Sequence, residues 1–127
     1  ALFIAYAPVD EPAIAVAVFA DKEAPADWGR LGNALVLAKE CWDNGDAVQL
    51  IFDGAAVKWL PDLLAEDHKY HRPFMKLWEA VVVCRYCARA YGVLDALEGS
   101  GLPMPDEYKQ HPSLRQRIVE GYQVVTF

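Results

Sequence analysis

Hydrophobic residues recur along the chain in two patterns, and their alternation predicts strands exchanging with helices. Ala13–Ala20 (AIAVAVFA) is apolar at every position, as a parallel strand buried on both faces should be. Ala47–Phe52 (AVQLIF) is the second strand, the uninterrupted β-branched run Val81–Val83 the third, and Tyr122–Phe127 (YQVVTF) the final one. After the first strand, Leu31, Leu35, Ala38 and Trp42 fall at helical spacing. They predict a helix from about Trp28 to Trp42, capped by Asp27, weakened at Gly32 and stopped by Asn44-Gly45. Ala55–Leu64 reads as helical with an interruption at Pro61, and Pro73 opens a helix over Phe74–Trp78. A helix from Cys84 extends toward Glu98 and ends at Gly99-Ser100-Gly101; Pro112 and Ser113 introduce a last one over Leu114–Glu120. Trp59, Trp78, Phe74 and Leu77 are expected to pack helices onto the sheet or onto a neighbouring subunit.

Strands alternating with helices at this spacing indicate an α/β fold, a mostly parallel sheet covered on both faces. At 127 residues a single domain is expected, with residues 13–127 as its core. Residues 1–11 are expected to form an N-terminal arm or extra strand; within them Leu2–Ala7 is an apolar run closed by Pro8. Lys and Arg number 12 against 18 Asp and Glu, a net charge of −6 with no basic run, which argues against nucleic-acid binding. No apolar run reaches membrane-spanning length, the first residues lack a signal peptide's basic start, and three cysteines do not make a secreted disulfide framework. The cytoplasm is the expected compartment.

Chemistry concentrates in Glu79–Val93, where Cys84-Arg85-Tyr86-Cys87 follows the third strand directly. The carboxyl ends of parallel strands are where ligands collect in open α/β sheets. A thiol at a helix start faces unpartnered N–H groups and the positive end of the helix dipole, and Arg85 and Arg89 add positive charge. This setting predicts Cys84 as a reactive thiol with a pKa below the free value of about 8.5, and Cys87, three residues on, shares its helix face. The competing reading is that Cys84 is a buried apolar packing residue. Asp53 and Gly54 end the second strand. Asp53 either orients an incoming group near Cys84 or caps the following helix, and Gly54 allows close approach to the backbone.

These residues, in the order "AVQLIFDGAAV", "VVVCRYCARAYGV" and "GYQVVTF", resemble the DsrE/DsrF family of small sulfur-relay proteins from about Ala13 to Phe127. The resemblance implies a three-layer α/β/α sandwich with a mostly parallel, DsrEFH-like sheet, and a cysteine after the third core strand that accepts sulfur as a persulfide. That cysteine maps onto Cys84. It also implies sulfur donor and acceptor proteins as partners and assembly into trimers or hexamers. Two departures stand out: Arg85 replaces a small residue after the cysteine, and Cys87 is not part of the basic relay pattern. A neighbouring thiol could resolve a Cys84 persulfide, releasing sulfide and leaving a Cys84–Cys87 disulfide.

Other chemistries rank lower. A thiol–disulfide oxidoreductase using Cys84 and Cys87 is the second reading, since strand–C-x-x-C–helix is also the thioredoxin arrangement, although the motif here follows two complete βα units. A non-catalytic oligomeric protein of this fold is a further class. Metal binding ranks below thiol chemistry, because one C-x-x-C supplies two soft ligands where structural zinc wants four. Cys41 reads as core, His68 and His71 as a solvated loop, and His111 carries no assignment. No cofactor or metal is expected: neither G-x-G-x-x-G after a strand nor G-x-x-x-x-G-K-[ST] occurs.

Overall fold

The computed structural model describes residues 11–127, so the arm or extra strand expected over residues 1–11 lies, but for Glu11, outside the described residues. Four strands form one sheet: β1 (Ala13–Val18), β2 (Ala47–Phe52), β3 (Val81–Val83) and β4 (Gln123–Thr126), in the order β3-β2-β1-β4. All pairings are parallel, with Val16 opposite Leu50 and Val125, and Phe52 opposite Val83. The fold is α/β, three layers with an all-parallel sheet.

Side-chain alternation explains why the layers are unequal. Val16, Val18, Leu50, Phe52, Val81 and Val83 point to one face and form the main core with α1 (Pro25–Asp43), Trp59, Phe74 and Leu77. Ala15, Ala17 and Ile51 point to the other face, under Leu114 of α6 (Leu114–Val119) and Tyr122. Trp59 is fully buried and donates its indole N–H to the Ala20 carbonyl at 3.0 Å, so the largest core side chain leaves no polar atom unpaired.

Several boundaries differ from expectation. α1 begins a turn early because Pro25 suits a first helical turn, where its missing N–H costs nothing. Asp27 therefore lies in the first turn and accepts from the Ala24 N–H at 3.0 Å, and Ala34 takes the buried place expected of Trp42, which is 38% exposed. Gly32 is no mere weakness: a Cβ there would stand 2.8 Å from the Tyr70 hydroxyl. After β2 comes a 3-10 helix (Gly54–Trp59), then α2 (Leu60–Leu63) with Pro61 in its first turn, then α3 (His71–Met75). Pro73 sits inside α3 rather than opening it. The helix expected from Cys84 to Glu98 is two, α4 (Arg85–Ala90) and α5 (Leu94–Leu97), because Gly92 turns the chain at φ +75°. No helix among the described residues is long and apolar enough to cross a membrane.

Candidate functional site

Three segments converge at the carboxyl ends of β2 and β3. The first is Asp53, immediately after β2, whose carboxylate accepts the Gly54 N–H at 2.8 Å and caps the 3-10 helix that follows. Gly54 has φ +53°, a conformation glycine adopts without strain, and a Cβ there would stand 3.3 Å from the Phe19 ring. The second is the start of α4. Cys84 is its N-cap, and its sulfur accepts the Cys87 N–H at 3.4 Å. The Cys87 thiol in turn donates to Asp53 Oδ1 at 3.4 Å. Asp53 thus caps the following helix, and the same carboxylate also faces the cysteine pair.

The third segment carries His111, which sequence reasoning left unassigned. Its Nδ1 lies 3.2 Å from Cys84 Sγ, and its ring packs on Tyr86 at 4.7 Å between centroids. His111 ends a tight turn closed by its N–H donating to the Tyr108 carbonyl at 2.8 Å, with Lys109 and Gln110 at φ +49° and +69°. That is the positive-φ pattern of a type I′ turn, built here without the usual Gly or Asn, and each such residue stores on the order of 1–3 kcal/mol of strain. Surrounding bonds hold it: Asp106 accepts the Gln110 N–H at 2.8 Å, and Tyr86 N–H donates to the Gln110 carbonyl at 3.1 Å. Glu107 ties the segment to α6 through the buried Arg117, which also donates to Gln49 at 2.8 Å.

The electrostatic expectation for Cys84 is overturned. The residue has no exposed surface, and burial pushes its thiol up to about 12; the Cys87 N–H opposes this, while the Cys87 thiol and the Asp53 carboxylate add to it. Cys87 is half-buried and is also raised, first by burial. Neither arginine is directed at the Cys84 sulfur: Arg85 pairs with Glu98 at 3.6 Å, and Arg89 donates to the neutral Gln110 side chain. Arg89 therefore braces the turn that presents His111. At neutral pH the resting sulfur is a thiol.

Asp53, Cys84, Cys87 and His111 each offer one donor atom, and these four atoms all lie within 4.8 Å of one another. Cys41 stands apart on α1, packed beside the main core. His68 and His71 do not join the cluster and are half-buried rather than free in a loop: His68 stacks on Trp28 at 5.3 Å, and His71 Nδ1 lies 2.7 Å from the Leu63 carbonyl. The topological switch of this sheet falls between β1 and β4, so the cluster sits beside it rather than in it.

No family model matches the sequence. An uncharacterized protein of Methanocaldococcus jannaschii, MJ0733, is 33% identical over 93 residues, spanning 73% of this chain and 76% of that protein. The chain belongs to the MJ0733 family. Among solved structures, a conserved protein of unknown function from Bacteroides thetaiotaomicron, BT1422, superposes on the MJ0733-family chain with a TM-score of 0.59. It covers 89% of this chain and 94% of its own at 14% identity, a likeness of fold.

Proposed function

We propose that this MJ0733-family protein handles sulfur through Cys84 and Cys87 as a persulfide carrier of the DsrE/DsrF kind, with His111 as the proton partner of Cys84. The observation that supports it is the 3.2 Å separation of Cys84 Sγ and His111 Nδ1, hydrogen-bond reach between a nucleophile and a base. The Cys84 thiol proton passes to His111 as the sulfur attacks the outer sulfur of a donor persulfide, R–S–SH. The donor's S–S bond breaks, R–S⁻ takes up the proton, and the products are Cys84–S–SH and R–SH. Because Cys84 has no exposed surface, transfer requires local opening of the site.

A second reading follows from Cys87. Its thiol can attack the Cys84 persulfide and release hydrogen sulfide, leaving a Cys84–Cys87 disulfide, which makes the protein a reductase that an external thiol must reset. As a carrier it would work in the cytoplasm between a sulfur donor protein and an acceptor protein, in a trimer or hexamer. Ile118 and Val119, both 61% exposed on α6, supply apolar surface for that assembly.

The test is mass spectrometry of the reduced protein after incubation with a low-molecular-weight persulfide. A carrier gains one sulfur on the Cys84 peptide; a reductase loses two hydrogens across Cys84 and Cys87. His111→Ala is expected to slow loading by about 100-fold or more, the usual worth of a positioned base. Absence of sulfur on Cys84 together with absence of the disulfide defeats both readings.

A further inference from the structure

The cluster at the ends of β2 and β3 contains more than thiol chemistry needs. We infer that Asp53, Cys84, Cys87 and His111 form a binding site for one borderline-soft divalent cation, of which Zn²⁺ is the natural occupant. The inference draws on the same side chains as the sulfur reading and stands without it.

The geometric argument is direct. Zinc takes thiolate sulfur at about 2.3 Å, imidazole nitrogen at about 2.0–2.1 Å and carboxylate oxygen at about 2.0–2.2 Å, so the edges of its tetrahedron run roughly 3.4–3.8 Å. Cys84 Sγ to His111 Nδ1 is 3.2 Å, Cys87 Sγ to Asp53 Oδ1 is 3.4 Å, and no pair among the four donors exceeds 4.8 Å. Shifts on the order of 1 Å would close four donors around one ion. The donors come from three separate segments, and each is already held. Asp53 is fixed by the Gly54 N–H, Cys84 by the Cys87 N–H, and His111 by a turn strained at two consecutive residues. Supports of this kind orient ligands in metal sites, and strain in a turn that places one side chain is characteristic of functional positions.

Donor chemistry selects the ion. Two thiolates and an imidazole are poor ligands for Mg²⁺ or Ca²⁺, which want oxygen, whereas a mixed S₂NO tetrahedron suits zinc. Binding is written Zn²⁺ + 2 Cys–SH → Zn(S–Cys)₂ + 2 H⁺, with the His111 imidazole and the Asp53 carboxylate completing the set. An ion held this way occupies both sulfurs, so a zinc-loaded chain is closed to sulfur transfer until the metal leaves.

The experiment is anaerobic titration of the reduced, metal-free protein with Co²⁺, then Zn²⁺. The expected result is one ion per chain, the visible bands of tetrahedral cobalt, and a near-ultraviolet thiolate-to-cobalt charge-transfer band. Zn²⁺ should displace the cobalt, and calorimetry in buffers of different ionisation enthalpy should find about two protons released per ion. Cys41→Ser should change nothing, Cys87→Ser should halve or abolish the charge-transfer band, and His111→Ala and Asp53→Ala should each weaken binding by about tenfold or more. Should Cys84→Ser fail to fold, the half-buried Cys87 and His111 variants carry the test, their metal-free folding checked by far-ultraviolet circular dichroism. Octahedral cobalt spectra, binding that does not saturate at one ion, or affinity untouched in the Cys87 and His111 variants would overturn the inference. Persulfide loading is read separately by mass on the metal-free chain, so failure of either idea leaves the other's readout intact.

Discussion

Alkylation of Cys84 in the metal-free, reduced protein tests the electrostatics of the site most sharply. Burial moves this thiol from an ordinary value of 9.0 to about 12, which cuts the thiolate fraction at neutral pH by about a thousandfold. A more basic thiolate is also more nucleophilic; with a Brønsted slope of about 0.4–0.5, roughly twentyfold is recovered. The net expectation is an iodoacetamide rate at pH 7.4 roughly fiftyfold below that of the unfolded chain, before any steric protection is counted. Peptide-resolved mass spectrometry measures it directly, with the urea-unfolded protein as reference. The rate should rise about tenfold for each pH unit up to pH 9 and beyond, with no plateau below that.

A plateau near pH 7, or a native rate within a fewfold of the unfolded one, would refute the account. It would mean that His111 already holds the proton in a thiolate–imidazolium pair, and His111→Ala would then abolish the plateau. The same shift bears on stability. A thiol raised on folding stabilises the native state below its unfolded pKa, and that contribution is lost as pH rises from about 9 toward 12. Denaturant midpoints should therefore fall over that alkaline window, and less so in Cys84→Ala relative to its own value at pH 8.

Other predictions follow from packing and turn chemistry. Glu107→Gln should cost roughly 1–2 kcal/mol at pH 7, discounted from a fully buried pair because Glu107 is one-third exposed while Arg117 is buried. Burial alone would raise the Glu107 carboxyl, but Arg117 and the Ser113 N–H hold it below its ordinary 4.5. Its contribution is therefore present above about pH 4.5 and fades as pH falls through the lowered value, so urea midpoints of wild type and variant should converge in acid. Lys109→Gly should stabilise by up to about 1 kcal/mol, the relief of a left-handed residue less the glycine entropy, read as a higher thermal midpoint. Gly32→Ala should be within about 0.5 kcal/mol of neutral alone, because displacement of Tyr70 offsets the better helix former. In a Tyr70→Phe background the nearest contact relaxes to 3.4 Å, and the same change should stabilise by about 1 kcal/mol in chemical denaturation.

The sheet was legible because its strands are short, mostly apolar and β-branched runs: β2 falls where AVQLIF stands, with Gln49 its one polar residue, and β3 where VVV stands. The end of α1 at Asn44-Gly45 was legible, whereas the break at Gly92, a lone glycine within a helical pattern, and the starts where proline could serve either role were missed. Pro25 and Pro73 both lie inside first turns, because the amide they lack has no partner there anyway. Asp53, Cys84 and Cys87 could be named because strand ends and helix starts are local features. His111 could not, since its partner is 27 positions away and the turn that delivers it carries no Gly or Asn to announce a reversal. The one local cue was Asp106 four residues before Gln110, whose side chain accepts that residue's N–H. Solvation of Cys84 was misjudged for the same reason. A helix dipole reads from sequence, but a cover contributed by a distant segment does not.

That cover changes what the cysteine pair is for. An exposed strand-end thiol would need only the helix and its arginines to ionise, and those arginines are engaged elsewhere. Here the two sulfurs share a space with a carboxylate and an imidazole, and in that company a second negative charge is unfavourable without a cation. In the two proposals the thiols remain neutral until their protons are taken, by His111 during attack on a persulfide or by a divalent ion that displaces both at once. Both events act through the 3.2 Å contact between Cys84 and His111, so a His111→Gln variant separates them. Glutamine has no titratable nitrogen but can still offer an oxygen donor, so it should lose sulfur transfer while keeping part of the cobalt affinity, with charge-transfer bands from both cysteines intact. Loss of the cobalt bands with sulfur transfer undiminished would invert the assignment of His111 and make it a metal ligand with no part in moving the proton.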